Sequence, residues 1–294
     1  MAKQEKQWQD FYEFGWKARS ELLEEYLDQG LNAYQAIKKF ESFERFHEMT
    51  IISAQGVEAI AKFIPKTTEQ GNIAGPNIPI FKPTSMSGQI CKIPFYSDFN
   101  FSNLLVDILN QDEYDCVIEL GCGYGRNLFN IFYSGGPINA NYFGGEFTSS
   151  GVEIATKLAK KARGMKAKFF HFNHLEPNLD FITKKKFKKA LVFTSHSIEQ
   201  VTQINENWFE VVSKAANFVR GVHLEPFGFQ MKELGPATKI HKEFFAKNSW
   251  NQNFAEVFIK AQNEKIISLD GLVLEIGFGD PVNPGSLLFW YSKK

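Results

Sequence analysis

The sequence lacks an excess of charge of either sign. It contains 33 basic and 33 acidic residues, so the formal net charge at pH 7 is zero. A balanced chain creates no long-range field that would attract nucleic acid or an anionic membrane. We therefore expect a small-molecule substrate, and neither nucleic acid nor a membrane as a partner. The basic run over 184–189 is expected to be a solvated loop, which could still meet a phosphorylated substrate.

Cysteines are few, and long apolar runs are absent. The three cysteines, Cys91, Cys116 and Cys122, are odd in number and form no C-x-x-C pair. This pattern argues against a disulfide framework and against a thiolate zinc site. No apolar run is long enough to span a bilayer, and the first residues lack the apolar stretch of a secretory signal. Together these absences predict a cytoplasmic protein.

The chain does contain an apolar segment that runs directly into closely spaced glycines, V-I-E-L-G-C-G-Y-G over 117–125. The apolar part is typical of a central strand of a parallel sheet, and the segment 126–132 predicts a helix after it. Because Gly121 and Gly123 lack a Cβ, the backbone can turn sharply and a ligand can approach its N–H groups. With Glu119 at the end of the strand, this combination suits a nucleoside cofactor.

The spacing of the glycines distinguishes between cofactors. Dinucleotide-binding turns have the pattern G-x-G-x-x-G, but Arg126 occupies the place of the third glycine, which disfavours NAD and FAD. An acid, one apolar residue and G-x-G-x-G after an apolar strand resemble motif I of the class I S-adenosylmethionine-dependent methyltransferases. The resemblance covers roughly residues 100–294. It implies an α/β fold with a Rossmann-like, seven-stranded methyltransferase sheet, mostly parallel with the last strand antiparallel.

The resemblance also implies S-adenosyl-L-methionine as the cofactor, with S-adenosyl-L-homocysteine as its product. A second strand over 142–148 contains Glu146, and a helix is expected over 149–161. In the resembling family the acid at this place accepts hydrogen bonds from both ribose hydroxyls, and the next residue, here Phe147, packs on adenine. Asn173, after a third strand over 167–172, is the expected contact of the adenine amino group. The other expected cofactor residues are Glu119, Gly121, Cys122, Gly123, Gly125 and Ser195.

Candidate catalytic residues follow the fourth and fifth strands, expected over 190–194 and 218–222. Ligands of open α/β sheets bind beyond the carboxyl ends of the strands. Methyl transfer from a sulfonium needs an aligned nucleophile and a group that takes its proton. His196 or His223 could act as the base for a hydroxyl, and Glu225 could orient the imidazole or bind the substrate.

Other roles for these three residues stay open. His196 could be a turn residue, and His223 with Glu225 could be a structural pair. Two imidazoles and one carboxylate could also hold a divalent ion, although their spacing is not diagnostic and no metal is our expectation.

The length of 294 residues leaves room for additions in front of the resembling domain. We expect an N-terminal helical extension over 1–66, with helices over 5–30, from 32 towards 47, and over 53–63. An irregular lid or linker is expected over 67–99, and the methyltransferase domain over 100–294. The front helices could shape the pocket or form a homodimer.

The end of the domain is also predicted in outline. Helices are expected over 239–262 with a break near Asn248, and one β segment is expected from the pieces 265–267 and 273–276. A last strand over 286–291 must be antiparallel to its predecessor, since parallel neighbours need a long crossover.

Three segments are similar to bacterial methyltransferases of sugar and surface-polysaccharide pathways: 121–128, 195–200 and 283–287. This weaker resemblance implies O-methyl transfer to a hydroxyl of a sugar, of a nucleotide-linked or phosphorylated sugar, or of another capsule precursor. Two alternatives remain open. One is a non-catalytic S-adenosylmethionine-binding protein, and the other is an NAD-dependent oxidoreductase.

Overall fold

The chain folds around a seven-stranded sheet. The computed structural model describes residues 2–52, 60–68, 70–75, 81–94, 100–277 and 284–293. The helices are α1 (Ala2–Asp28), α2 (Ala33–Phe46), α3 (Phe101–Asn110), α4 (Arg126–Tyr133), α5 (Ser149–Lys161), α6 (Asp180–Thr183), α7 (Trp208–Ser213), α8 (Gly228–Met231), α9 (Pro236–Asn248) and α10 (Phe254–Asn263). The strands are β1 (His47–Ile52), β2 (Ile60–Pro65), β3 (Phe81–Met86), β4 (Gln89–Pro94), β5 (Cys116–Leu120), β6 (Asn141–Glu146), β7 (Lys166–His171), β8 (Phe187–Ser195), β9 (Ala216–Glu225), β10 (Ser268–Val273) and β11 (Ser286–Lys293).

The order of the strands in the sheet is β7-β6-β5-β8-β9-β11-β10. The first five of these are parallel, whereas β11 runs antiparallel to both of its neighbours. The expected Rossmann-like methyltransferase sheet is confirmed, including its reversed last strand. From β5 the chain proceeds outwards to β6 and β7, and then returns to β8 on the other side. The carboxyl ends of β5 and β8 therefore flank the topological switch point, where open α/β sheets bind ligands.

Side chains of the central strands alternate between two apolar cores. Val117 and Leu191 belong to a core that includes residues of α1 to α5. Ile118 and Val192 belong to the other core, with residues of α7 and α10. All five residues of β5 are buried, as expected for a strand that is covered on both faces. The sheet is therefore a rigid support for the loops at its edge.

The first two predicted helices are confirmed, but the third is wrong where the structure describes it. Residues 53–59 lie outside the described part, and Ile60–Pro65 forms β2, which pairs antiparallel with His47–Ile52. Each strand contains two isoleucines, with Thr50 in the first and Phe63 in the second, and these residues favour pleated strands. Within its described residues, the extension over 1–66 is therefore helical only up to α2.

The segment 67–99 contains a hairpin where an irregular lid or linker was expected. β3 and β4 pair antiparallel from Phe81 with Pro94 to Met86 with Gln89. The connecting residues, Ser87 and Gly88, have φ angles of 49° and 77°. Two positive φ angles define the tight turn that joins hairpin strands most readily, and a Ser-Gly pair is a sequence signal for it. Residues 76–80 and 95–99 lie outside the described part.

Two strands near the end of the chain differ from the predicted bounds. β9 extends to Glu225 because β11 pairs with it along its length, from Lys293 with Phe218 to Ser286 with Glu225. β10 occupies Ser268–Val273, between the two predicted pieces. The predicted break between helices is confirmed by Ser249, whose φ is 55°. No helix of the described residues is long and apolar enough to cross a membrane.

Candidate functional site

The glycine turn after β5 depends on the absence of side chains. Gly121, Gly123 and Gly125 have φ angles of 82°, 54° and 82°, in the region that favours glycine. A Cβ at Gly121 would lie 2.2 Å from the Cβ of Ser197. The N–H groups of Gly121 and Cys122 donate to the carbonyl of Gly145 over 2.7 and 3.0 Å, which joins the turn to the end of β6.

Glu119 lies beneath this turn with one oxygen ready for a ligand. Its side chain is buried, and its Oε1 accepts a 2.6 Å hydrogen bond from Nδ2 of Asn127. Among the described residues Oε2 has no hydrogen-bond partner. Burial raises the pKa of Glu119 to about 8. A cationic group such as an ammonium would satisfy this oxygen and favour its ionised form.

Glu146 connects the ends of β5 and β6. Its Oε2 accepts from the N–H of Gly123 over 2.8 Å, and its Oε1 accepts from the N–H and the hydroxyl of Thr148 over 2.9 and 2.8 Å. Burial raises the pKa of Glu146, against the effect of these hydrogen bonds. A carboxylate has about four acceptor sites, so one further donor can bind directly. A second ribose hydroxyl would have to replace or share an existing bond.

Three other predicted cofactor residues lie around the same turn. Phe147 is 38% exposed, so its ring is available for contact with a flat ligand. Asn173 already accepts from the N–H of Leu175 through Oδ1 over 2.9 Å. Its NH₂ group, rather than its oxygen, is therefore the more available contact. Cys122 is buried, and its Sγ would lie 2.8 Å from a Cβ at Gly144, so it packs behind the turn.

His196 directly follows β8, as predicted, and Ser195 is the last residue of that strand. His196 has a φ of 50°, and its Nδ1 lies 3.1 Å from Oε2 of Glu199. Burial alone would lower the pKa of His196, but Glu199 and Glu225 outweigh it, so the pKa is raised. With the Nδ1 proton donated to Glu199, Nε2 is the nitrogen that can take a proton. Nε2 lies 3.7 Å from where a Cβ of Gly285 would be.

Glu225 is the last residue of β9 and holds the loop that carries His196. It is fully buried, and its carboxylate accepts from the N–H of Ser197 over 3.1 Å and from the N–H of Ile198 over 3.2 Å. Burial raises its pKa to about 7, with Glu199 as the next cause. Its geometry suits the positioning of this loop more than contact with a substrate.

His223 does not lie beyond the end of its strand, and that expectation is wrong. It is fully buried within β9, where Nε2 accepts from Nε1 of Trp290 over 2.7 Å and Nδ1 lies 2.9 Å from Oγ1 of Thr194. Burial lowers its pKa to about 3, and His174 adds to this effect. The structure therefore does not bring His196, His223 and Glu225 to one ligand. Among the described residues no cluster of three metal-binding side chains occurs.

Helix α1 lies against the site, in line with one of the two roles that the sequence analysis left open for the front helices. A Cβ at Gly123 would lie 2.3 Å from Cη2 of Trp16, so this ring packs directly on the glycine turn. Glu13 accepts from the N–H groups of Ser149 and Ser150, each over 2.9 Å, at the start of α5. Burial raises the pKa of Tyr12, and Glu199 adds to this rise. The aromatic spacing of α1 carries no signal that distinguishes a pocket wall from ordinary core packing.

The basic run lies away from these residues. Lys184–Lys186 connect α6 to β8, and Lys188 and Lys189 begin that strand. This is the amino-terminal end of β8, whereas His196 follows its carboxyl end. The run is therefore not placed to meet a substrate at the switch point.

The fold and the turn define the class of protein that this chain resembles. The sheet order, the reversed β11 and the G-x-G-x-G turn at the switch point are those of the Rossmann-like methyltransferase fold. No protein-family model matches the chain.

Individual proteins with similarity to the chain are methyltransferases. A curated relative, the Asnovolin E/Chermesin D methyltransferase of Aspergillus novofumigatus, is 20% identical over 196 residues, which are 61% of this chain and 66% of the relative. The chain thus spans slightly less than two thirds of that relative's length. A geranyl diphosphate methyltransferase solved in complex with GPP and sinefungin gives a TM-score of 0.45 at 10% identity, over 65% of this chain and 76% of that one. The magnesium protoporphyrin IX methyltransferase of Synechocystis PCC 6803, solved with bound S-adenosylmethionine, gives 0.42 at 14% identity, over 65% and 78%.

Proposed function

We propose that this protein is an S-adenosylmethionine-dependent methyltransferase that acts on a small molecule. The observation that carries the proposal is a hydrogen bond at the switch point of a methyltransferase-type sheet. In it, the N–H of Gly123 donates to Oε2 of Glu146 over 2.8 Å. This hydrogen bond places the glycines of the turn, which have no side chains, beside a buried carboxylate. A nucleoside with a charged tail requires this arrangement.

The predicted cofactor residues other than Ser195 each have a part in this proposal. Glu146 binds the ribose, Phe147 covers one face of adenine, and Asn173 contacts the adenine edge. The turn from Gly121 to Gly125 borders the amino-acid part of the cofactor, and the open oxygen of Glu119 accepts from its ammonium group. Trp16 closes this side of the site because its ring lies against Gly123.

The cofactor supplies an electrophilic sulfonium methyl group when it is bound. This chain's residues orient the acceptor, exclude water and remove the acceptor's proton. We assign proton removal to Nε2 of His196, since Glu199 fixes Nδ1 over 3.1 Å and the loop is held by Glu225. His223 is assigned a structural role because both of its nitrogens are engaged in the core.

The acceptor atom in this proposal is a hydroxyl oxygen of a sugar or of a capsule or surface-polysaccharide precursor. The resemblance of the segments 121–128, 195–200 and 283–287 to bacterial enzymes of such pathways supports this acceptor. An imidazole with a raised pKa beside the switch point supports proton removal from a hydroxyl. A phosphorylated precursor gains no support from the lysine run, which lies at the other end of β8. The proposed location is the cytoplasm.

Calorimetric titration with S-adenosylhomocysteine tests the cofactor. We expect saturable binding to the unmodified protein and a loss of about tenfold or more in affinity for Glu146→Gln, because one carboxylate oxygen becomes a donor. Glu153→Gln, an exposed acid on α5, is the matched control and should bind as the unmodified protein does. Binding of NAD in place of S-adenosylhomocysteine would instead favour the oxidoreductase alternative. Absence of label transfer from tritiated S-adenosylmethionine to any acceptor would favour the non-catalytic alternative.

A further inference from the structure

The hairpin β3–β4 covers a buried carboxylate near the proposed acceptor side of the site. The N–H of Gly88 donates to Oε2 of Glu275 over 2.7 Å, and the N–H of Ser87 donates to the carbonyl of the same residue over 2.9 Å. Met86 also forms an isolated bridge with Ile276. Glu275 is 1% exposed and has a φ of 48°, which is uncommon for a residue with a side chain. Such strained, buried acids concentrate at functional positions.

Several buried polar atoms in and under this hairpin lack a hydrogen-bond partner among the described residues: Oγ1 of Thr84, Oγ of Ser85 and Oε1 of Glu275. Thr84 lies beside the segment that follows Glu275, since its Oγ1 would be 3.7 Å from a Cβ at Gly277. Ser85 is the next residue of β3, so its side chain lies on the other face of the hairpin. Buried polar groups are nearly always paired, and each unpaired group destabilises the folded state. Thr84 and Glu275 are two such groups at one contact, which suggests that a ligand pairs with them.

The contact is joined to the residue that we assign as the base. The N–H of Glu275 donates to Oγ of Ser286 over 3.0 Å, and Ser286 is opposite Glu225 in the β11–β9 pair. The neighbouring Gly285 approaches Nε2 of His196. Glu275 and His196 therefore lie at the same edge of the sheet.

We propose that Glu275 and Thr84 bind the acceptor, that the acceptor is rich in hydroxyl groups, and that the hairpin moves aside to admit it. This inference rests on the proposed methyltransferase function and assigns residues to recognition of the acceptor. The hairpin has to move because Oε1 of Glu275 and Oγ1 of Thr84 are inaccessible to solvent in the present arrangement.

The chemistry of the two groups favours a polyol over charged acceptors. The carboxylate oxygen of Glu275 only accepts hydrogen bonds, whereas the hydroxyl of Thr84 needs both an acceptor and a donor. A ligand hydroxyl supplies both, whereas an ammonium has no acceptor to offer to Thr84. A phosphate or carboxylate group would be repelled by Glu275. Neighbouring hydroxyls on one molecule can pair with both groups.

Methyl transfer from tritiated S-adenosylmethionine to chosen probes tests the inference. The polyol probes are methyl glycosides of hexoses and inositol, and the opposing probes are hexose phosphates and spermidine. We expect label on a polyol probe and a KM for it that rises about tenfold or more in Glu275→Gln, because a charged hydrogen bond is lost. The affinity for S-adenosylhomocysteine should stay unchanged in this variant, and Thr156→Val on α5 should leave KM unchanged.

Thermal unfolding of Thr84→Val gives a second readout that needs no acceptor. An unpaired hydroxyl is removed at nearly constant volume, so the melting temperature should stay the same or rise while polyol turnover falls. A lower melting temperature would show that the hydroxyl is a structural group and would overturn its assignment.

The outcomes separate this inference from the proposed function. If S-adenosylhomocysteine does not bind, the proposed function fails. If it binds but label reaches only the phosphates or spermidine, reaches no polyol, or reaches a polyol with the same KM in Glu275→Gln, this inference alone is overturned.

Discussion

Trp16 of the first helix lies directly against Gly123 of the glycine turn, so closely that a Cβ on the glycine would lie 2.3 Å from the ring. Tyr124 also contacts this ring, edge to face, with centroids 5.9 Å apart. A helix outside the part of the chain that resembles methyltransferases thus forms one wall of the proposed cofactor site.

Replacing the tryptophan should weaken cofactor binding. In Trp16→Ala the turn loses its aromatic wall, and we expect the affinity for S-adenosylhomocysteine to fall about tenfold, as for the loss of one well-packed aromatic contact. Calorimetric titration measures this change. Tyr34→Ala, at an exposed aromatic residue of α2, should bind as the unmodified protein does. Equal affinities for Trp16→Ala and the unmodified protein would remove α1 from the cofactor site.

Adding a single methyl group to the turn should be more damaging than its conformation alone explains. Gly123→Ala combines a positive φ of 54° with the overlap against Trp16, and we expect a loss of stability of roughly 2 kcal/mol or more together with loss of S-adenosylhomocysteine binding. Gly30→Ala is the matched control, because its φ is 87° and no atom lies within 4 Å of the added Cβ. Denaturant unfolding of both variants separates the clash from the backbone strain. Equal losses would mean that Trp16 moves away freely.

The pH dependence of turnover should report the pair of His196 and Glu199. A general base must be neutral, so kcat/KM should rise with pH through the pKa of His196, which is raised above 6.5 by the neighbouring carboxylates despite burial. Glu199→Gln removes the nearest carboxylate, so the acid limb of the profile should move to lower pH. His223→Gln, which changes a buried structural histidine, should leave the limb where it is. If the acid limb moved in His223→Gln and not in Glu199→Gln, the base would be His223 and not His196.

Stability should fall as the pH rises through the titration of Glu119. Its pKa is raised by burial from 4.5 to about 8, so its favourable contribution is fully present below pH 4.5 and is lost as the pH approaches 8. Between these pH values, the ionisation of Glu119 lowers the free energy of unfolding by up to about 1.4 kcal/mol per pH unit. Denaturant unfolding from pH 5 to 9 should show a smaller slope for Glu119→Gln than for the unmodified protein. The control Glu113→Gln, at an exposed position, should keep the full slope.

The parts of the fold that were predicted correctly are those that local pattern determines. The apolar run before Gly121 and the glycine spacing identify β5 and its turn because burial on both faces and a side-chain-free bend each leave a local mark. Glu146 was placed correctly at the end of β6 for the same reason. The last strand was predicted as antiparallel from the shortness of its connection, and β11 is antiparallel.

The parts that were missed depend on contacts between distant segments. His223 looks like a residue at a strand exit until β11 pairs alongside it and Trp290 donates to its ring. The contact of Trp16 with Gly123 joins residues on separate elements, and no periodicity in α1 indicates it. The hairpin β3–β4 was missed for a different reason: its Ser87-Gly88 turn is a readable signal, but the surrounding prolines favoured an irregular segment.

The turn of the hairpin meets the start of α9 backbone against backbone. A Cβ at Gly88 would lie 2.4 Å from the nitrogen of Gly235, and a Cβ at Gly235 would lie 2.6 Å from the carbonyl oxygen of Gly88. The N–H of Ala237 donates to that same oxygen over 3.2 Å. Since two glycines fix how the turn is seated, the strands can move and their side chains can be exchanged while the turn stays in place. Substrate preference in this protein can therefore diverge by substitutions within β3 and β4 while the reaction centre keeps its shape.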